Sequence, residues 1–328
     1  VININKLIFY IGGIMDKKKG ILLVALGTPR SCEADDVRDY LKEFLGDPLV
    51  IQKPRWLWLP ILNGIILKVR PQKSAEMYKK IWTDEGSPLM IYTVAQAKQL
   101  QDMREDFDVR FAMTYGEPRI DKVIAEMKES GVEEITVLPL YPQYSLTTVE
   151  PVIQQVKKID DKIKVIRDFH KVESYSDLLA ESIREKWQAN DYDKLVLSYH
   201  GIPLSYVTKK KDAYEEQCKE TTRLVVSKLG LREEEYEHTY QSKFGPEKWL
   251  EPATIDRVAE LPKENAKKVL ICSPAFVADC LETLFELEIE NKEVFVENGG
   301  ETFDFVHPFN DSLDFTRVLS EVVDQNRL

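Results

Sequence analysis

An α/β chain of two similar domains, each a four-stranded parallel sheet flanked by helices, is what this sequence predicts. Three observations carry that. Short, nearly all-apolar runs alternate with longer stretches of helical periodicity, the pattern of parallel strands buried on both faces. The runs fall into two quartets whose strand-end stretches answer one another in the same order. Glycine, proline, serine and tyrosine collect where each run stops, as they do in strand-to-helix turns.

The expected strands are 20–26, 108–114, 134–140 and 163–167 in the first half, and 194–199, 236–241, 268–273 and 302–306 in the second. Helical patterns fill the gaps, for example 33–45, 89–106, 119–130, 174–189, 212–229 and 311–324. "ILLVALGTP" (21–29) is answered by "LVLSYHGIP" (195–203), and "FAMTYGEP" (111–118) by "TYQSKFGP" (239–246). "VLPLYPQYS" (137–145) is answered by "VLICSPAFVAD" (269–279), and "VIRDFH" (165–170) by "FDFVHP" (303–308). The expected layout is a first domain over 15–170, a second over 171–308, and a C-terminal helix over 309–328 that returns to the first. Residues 1–14, ahead of Met15, read as an extension outside the fold, non-native or disordered.

One segment departs from the alternation. "PRWLWLPILNGIILKVRPQ" (54–72) is apolar yet too short and interrupted to span a bilayer. Trp56 and Trp58 stand two apart and cannot share a helix face, so residues 54–66 are expected to form a partly exposed apolar lip.

Bulk properties narrow the function. The chain has 328 residues, 43% hydrophobic and 31% charged, enough to build full cores. Its net charge of −11 argues against non-specific nucleic-acid binding and suits metal cations as ligands or substrates. Four scattered cysteines (Cys32, Cys218, Cys272, Cys280) without CxxC spacing fit a reducing cytosol and give no zinc-ribbon or dithiol motif. HExxH, Walker, GxGxxG and GxSxG patterns are all missing.

The chemistry-bearing residues gather at strand ends, where open parallel sheets bind ligands. His200 ends a strand in "SYHGIP"; as a neutral imidazole it can take a proton or bind a divalent metal. A lone histidine is otherwise most often a hydrogen-bonded structural residue, and His170, His238 and His307 read as structural or surface residues. Tyr144, in "YPQYS", is placed by the same rule near that cleft. In "DCLETLFELEIE" (279–290), Glu282, Glu286 and Glu290 recur every four residues beside an apolar stripe of Leu281, Leu284, Phe285 and Ile289. A plain solvated helix face is one account of that row. The other is function. Residues four apart drift by about 40° per step in an α-helix, and a wider π-type turn, common at functional sites, brings them closer to one line. Trp249 and Phe276 add aromatic walls suited to a flat apolar ligand.

Taken together, "YPQYSLTT" (141–148), "LSYHGIP" (197–203), "YQSKFGPEKWLEP" (240–252) and "ADCLETLFELEIE" (278–290) resemble the ferrochelatases, over nearly all of the chain after Met15. The resemblance implies a chelatase-like fold of two Rossmann-like domains with the active site between them, and insertion of ferrous iron into a porphyrin, a lyase reaction of haem synthesis. It implies His200 and Glu282 as catalytic and metal-handling residues, and Trp249 and Phe276 as pocket aromatics. The acidic row Asp279, Glu286 and Glu290 becomes a path for protons or iron. Iron enters as substrate, with no permanently bound cofactor. No cysteine follows Cys280, so the C-terminal [2Fe-2S] cluster of some members is not expected. The coproporphyrin-using branch has a tyrosine where this chain has Leu26, which points to protoporphyrin IX as substrate, with Leu26 and Tyr144 lining the porphyrin site. The rival readings are a coproporphyrin III ferrochelatase, a sirohydrochlorin cobalt or iron chelatase, and a porphyrin or haem carrier that needs no catalytic pair. Location in the cytoplasm follows, with peripheral contact at the inner membrane face through 54–66 as a further expectation.

Overall fold

The computed structural model describes residues 19–243 and 245–326. The expected extension over 1–14 lies outside the described residues. Among the described residues eight strands form: β1 (Lys19–Ala25), β2 (Asp108–Met113), β3 (Glu134–Pro139), β4 (Lys164–Val165), β5 (Lys194–His200), β6 (Tyr236–Gln241), β7 (Lys268–Cys272) and β8 (Thr302–Val306). They make two four-stranded sheets, ordered β2-β1-β3-β4 and β6-β5-β7-β8, with every neighbouring pair parallel. The two halves thus share one topology, with the first strand of each quartet flanked by its second and third. The described residues divide into two compact units, one of 19–141, 146–167 and 311–326, the other of 142–145, 168–243 and 245–310.

In the first unit, β1 is buried along its whole length after Lys19, so its run of Ile21, Leu22, Leu23 and Val24 needs no polar face. Leu22 and Val24 pack with Ile120, Ile124 and Met127 of the helix Ile120–Glu129 and with Val152 and Val156 of the helix Val149–Ile159. The C-terminal helix Leu313–Gln325 belongs to this unit and lies on the helix Pro88–Met103. Thr316 Oγ1 donates to Gln99 Oε1 at 2.8 Å, and the Arg104 guanidinium reaches Ser320 Oγ at 3.0 Å and Asp324 at 3.2 Å.

The 54–72 segment folds as a helix (Arg55–Ile61), a wide π turn (Leu62–Ile66) and a second helix (Leu67–Ile81). The two tryptophans separate as their spacing requires. Trp58 is buried, its indole N–H donating to the Leu45 carbonyl at 2.7 Å, whereas Trp56 is 79% exposed. Leu57, Leu59, Ile65 and Val69 are exposed with it. Among the described residues no helix is long and apolar enough to cross a membrane.

In the second unit, Val196, Val269, Ile271, Phe303 and Phe305 from three strands pack with Val258, Leu287 and Phe295. The segment 142–145 is tied into this unit by hydrogen bonds: Gln143 Nε2 donates to Thr221 Oγ1 at 3.0 Å, the Tyr144 N–H to Gln217 Oε1 at 2.6 Å, and Ser145 Oγ to Asp212 at 2.9 Å.

Candidate active site

The site grows from the carboxyl ends of three neighbouring strands of the second unit. His200 closes β5 and pairs in register with Gln241, which closes β6. Beyond β7, the turn through Phe276 leads to a π-helix, Leu281–Asn291, that carries the acidic row. The strand order β6-β5-β7 therefore brings the imidazole, the Gln241–Ser242 turn and the acidic helix to one sheet edge, where parallel sheets present ligands with groups from successive turns.

His200 is partly buried, and its Nδ1 lies 2.7 Å from the Gly201 carbonyl oxygen. A carbonyl only accepts, so Nδ1 carries the proton and, in the neutral ring, Nε2 keeps a free lone pair. The following glycine is required here. A Cβ at Gly201 would stand 2.7 Å from the Gln241 carbonyl oxygen and 3.3 Å from Cε3 of Trp249. That close approach lets the Gly201 N–H bond the same Gln241 carbonyl at 2.8 Å. Trp249 is held alongside by two backbone bonds, Leu204 N–H to Lys248 and Leu250 N–H to Ile202, at 2.9 and 3.0 Å.

The acidic helix owes its wide turn to side chains that take up displaced carbonyls, a recognised cause of such irregularities. Asn291 Nδ2 donates to the Glu286 carbonyl at 2.6 Å, and Gln241 Nε2 to the Glu282 carbonyl at 2.9 Å. Gln241 is itself oriented by Ser198, whose hydroxyl donates to its Oε1 at 3.1 Å. The π geometry spans Glu282, Glu286 and Glu290 together. Their surroundings differ. Glu282 and Glu286 are partly buried and Glu290 is exposed.

Glu286 is the most elaborately held of the three. Its carboxylate accepts the Ser242 N–H at 2.6 Å, the Ser242 hydroxyl, and Gln241 Nε2 at 3.2 Å. Ser242 sits in the left-handed region at φ 67°, a conformation non-glycine residues adopt at a cost and one that points its N–H and hydroxyl at the same carboxylate. Burial raises the Glu286 pKa; the Ser242 bond, the nearby His200 and Gln241 pull it down, and Glu282 pushes it up. His200, Glu282 and Glu286 are thus electrostatically linked. Cys280, buried just before the helix, keeps its proton: burial pushes its thiol pKa up, and Glu282 beside it pushes the same way.

The other expected residues are placed as follows. Asp279 is buried at the head of the π-helix, its carboxylate bonded by Thr283, His307 and Asn310. Phe276 is partly buried in the turn after β7, its N–H on the Ser273 carbonyl at 3.0 Å. Tyr144 is buried in the second unit, and Leu26 belongs to the first, just past β1, where its carbonyl accepts the Tyr115 N–H at 2.9 Å. Of the remaining histidines, His170 is buried against Asp168, and His238 is partly buried, with desolvation lowering its pKa to about 4. His307 is bonded to Asp279, a placement its sequence context alone did not reveal. Gln241, Ser242 and Asn310 were also missed; the first two lie inside "YQSKFGPEKWLEP", where only Trp249 stood out. Among the described residues no group of three or more His, Cys, Asp or Glu side chains is arranged to hold a metal ion.

Comparison with known proteins identifies the family. The family model "Ferrochelatase" matches residues 18–327. Coproporphyrin III ferrochelatase of Lactococcus lactis subsp. cremoris (strain SK11) is 90% identical over 314 residues, 96% of this chain and 99% of the relative. Coproporphyrin III ferrochelatase of Enterococcus faecalis is 45% identical, covering 94% of this chain and 99% of the relative. Ferrochelatase of Vibrio cholerae serotype O1 is 42% identical, over 94% and 98%. Among solved structures, SirB from Bacillus subtilis with Fe3+ superposes with a TM-score of 0.55 at 12% identity, covering 94% of this chain and 97% of that one, a likeness of fold alone.

The expectation of a protoporphyrin enzyme, drawn from Leu26, is overturned by these relatives, since those at 90% and 45% identity are coproporphyrin III ferrochelatases. The physical reason is that the two porphyrins share one flat macrocycle and differ only in rim substituents. Apolar walls and one side chain do not separate them. On the family match over nearly the whole chain, together with relatives of this identity and coverage, the protein belongs to the ferrochelatase family.

Proposed function

We propose that this chain inserts ferrous iron into coproporphyrin III, releasing the two inner pyrrole protons. The observation that carries the substrate is the 90% identity, over 96% of this chain, to a coproporphyrin III ferrochelatase. In the reaction two N–H bonds break, iron gains four nitrogen ligands, and no electron changes hands. The barrier is that metal cannot enter while the lone pairs lie in the ring plane and the protons remain. Distorting the ring lowers it.

The chain's own residues supply the proton chemistry in this reading. With Nδ1 committed to the Gly201 carbonyl, His200 offers Nε2 as the base for a pyrrole proton. Glu282 and Glu286 stabilise the imidazolium that forms, and the bonds from Ser242 and Gln241 keep Glu286 in place without fully offsetting its burial. Glu290, exposed at the far end of the row, passes protons or iron to and from solvent. Trp249 and Phe276 contact the macrocycle. The enzyme works in the cytoplasm, with the exposed side chains of Trp56, Leu57, Leu59 and Ile65 making peripheral contact with the membrane; the exposed tryptophan suits an interface.

Anaerobic assay of the purified chain with ferrous iron and either coproporphyrin III or protoporphyrin IX tests this. The proposal expects the higher kcat/KM with coproporphyrin III. Preference for protoporphyrin IX, or porphyrin binding without insertion, as a carrier would show, refutes it.

A further inference from the structure

The head of the π-helix is clamped by a segment that follows β8. Asp279 Oδ1 accepts from Thr283 Oγ1 at 2.7 Å, and Oδ2 accepts from Asn310 Nδ2 at 2.8 Å. Asn310 reciprocates: its Oδ1 accepts the Asp279 N–H at 2.7 Å. The second group on Asp279 Oδ2 is Nδ1 of His307, at 3.0 Å. On its other side, Nε2 of His307 lies 3.9 Å from a carboxylate oxygen of Glu288, near the far end of the π-helix. The ring is braced edge-on against Phe305, with centroids 5.0 Å apart. The charged groups acting on His307 are Asp279 and Glu288 from the acidic segment and Lys186 from the helix Glu173–Ala189.

A single side chain therefore bonds Asp279, three residues before Glu282, and lies within ion-pair range of Glu288, two residues after Glu286. A π-helix is held by i→i−5 bonds in place of the α-helix's i→i−4 ladder, a geometry seldom sustained, so contacts from outside help to place its carboxylates. Gln241 and Ser242 hold it from one side; His307 and Asn310 hold its head and flank from another.

We propose that His307 is a positioning residue for metal insertion: bonded to Asp279 and facing Glu288, it sets where Glu282 and Glu286 stand with respect to His200. The proposal rests on the ferrochelatase reading above. It assigns His307 no contact with substrate or iron and no proton of the reaction. The expected consequence is loss of turnover without loss of porphyrin affinity, because binding energy comes from the macrocycle's apolar faces while turnover depends on carboxylate placement.

The test compares the full-length wild type with His307→Ala and His307→Asn. Asparagine can donate a hydrogen bond from near the Nδ1 position but leaves Glu288 unanswered. Displacement of a reacting group by about 1 Å costs roughly 10²-fold in rate, so His307→Ala is expected to lower kcat by about 10- to 100-fold. Porphyrin affinity, measured by fluorescence quenching, is expected to stay at the wild-type value, and His307→Asn to recover most of the lost kcat. Unchanged kcat in His307→Ala overturns the proposal. So does a parallel loss of kcat and porphyrin affinity, or an asparagine variant no better than alanine. Amide exchange over residues 280–291 supplies a readout that does not need the reaction: His307→Ala should exchange faster there than wild type, and equal exchange overturns the bracing. Should the wild type itself insert no iron, the functional reading fails while the exchange comparison still decides the role of His307.

Discussion

Replacing Gly201 with alanine tests the geometry on which the chemistry depends. The added Cβ would meet the Gln241 carbonyl oxygen at 2.7 Å and Cε3 of Trp249 at 3.3 Å. The first contact is with backbone, on the end of β6, and cannot be relieved by a side-chain rotation. Either β5 and β6 separate at their ends or the Gly201 peptide tilts, and both break the 2.8 Å bond from Gly201 N–H to Gln241. Overpacking of this kind costs about 1–3 kcal/mol, which chemical denaturation would read directly. The same tilt moves the Gly201 carbonyl that fixes the His200 tautomer, so kcat should fall by about 10²-fold. Porphyrin quenching should persist, since a shifted Trp249 still offers an apolar ring and Phe276 is not displaced. An alanine variant with wild-type stability and turnover would show that neither the close approach nor the Nδ1 bond governs the site.

Further outcomes follow from the same structure. Glu286 has a folded pKa raised by burial, so its ionisation opposes folding as pH rises above the ordinary carboxylate range. Glu286→Gln should therefore gain in denaturant stability on wild type between acid and neutral pH, while losing turnover; a stability difference flat with pH contradicts the reading. His307 has the opposite sign: its pKa is raised, first by the Asp279 bond, so its stabilisation is full below the ordinary histidine value and is lost as pH rises through the folded value. His307→Asn should remove that part of the pH dependence of stability, and an unchanged profile would count against the Asp279 contact. On the lip, Trp58→Ser empties a buried indole site and should destabilise by about 3–5 kcal/mol. Trp56→Ser should leave stability within about 0.5 kcal/mol and weaken liposome association; equal effects of the two would contradict their separation.

The strands were legible because each is a compact apolar run with turn residues at its end, and buried parallel strands have few other ways to look. Topology followed from the matched quartets, since two copies of one pattern fold alike. The wide turn of the acidic helix was legible from the four-residue spacing of Glu282, Glu286 and Glu290, whose drift an α-helix would not correct. What holds that turn was not. Gln241 and Asn310 reach the helix from other elements, and contacts between polar side chains 30 to 45 residues apart leave no period to read. His307 read as a structural or surface histidine, and its bond to Asp279 could not be picked out because that partner lies 28 residues upstream. The choice between two porphyrins was misread at Leu26 for a different reason. It depends on how a rim of side chains meets substituents at the macrocycle's edge, which one position does not encode.

In the proposed mechanism His200 and the carboxylates of the π-helix perform the insertion, with binding supplied elsewhere. A single-turnover experiment addresses it most directly. Enzyme preloaded with coproporphyrin III is mixed anaerobically with ferrous iron, and the metalloporphyrin spectrum is followed for wild type and His200→Ala. Both proteins should bind the porphyrin equally, wild type should convert it in one turnover, and His200→Ala should leave it as free base over the same time. Conversion by His200→Ala at the wild-type rate would contradict that mechanism.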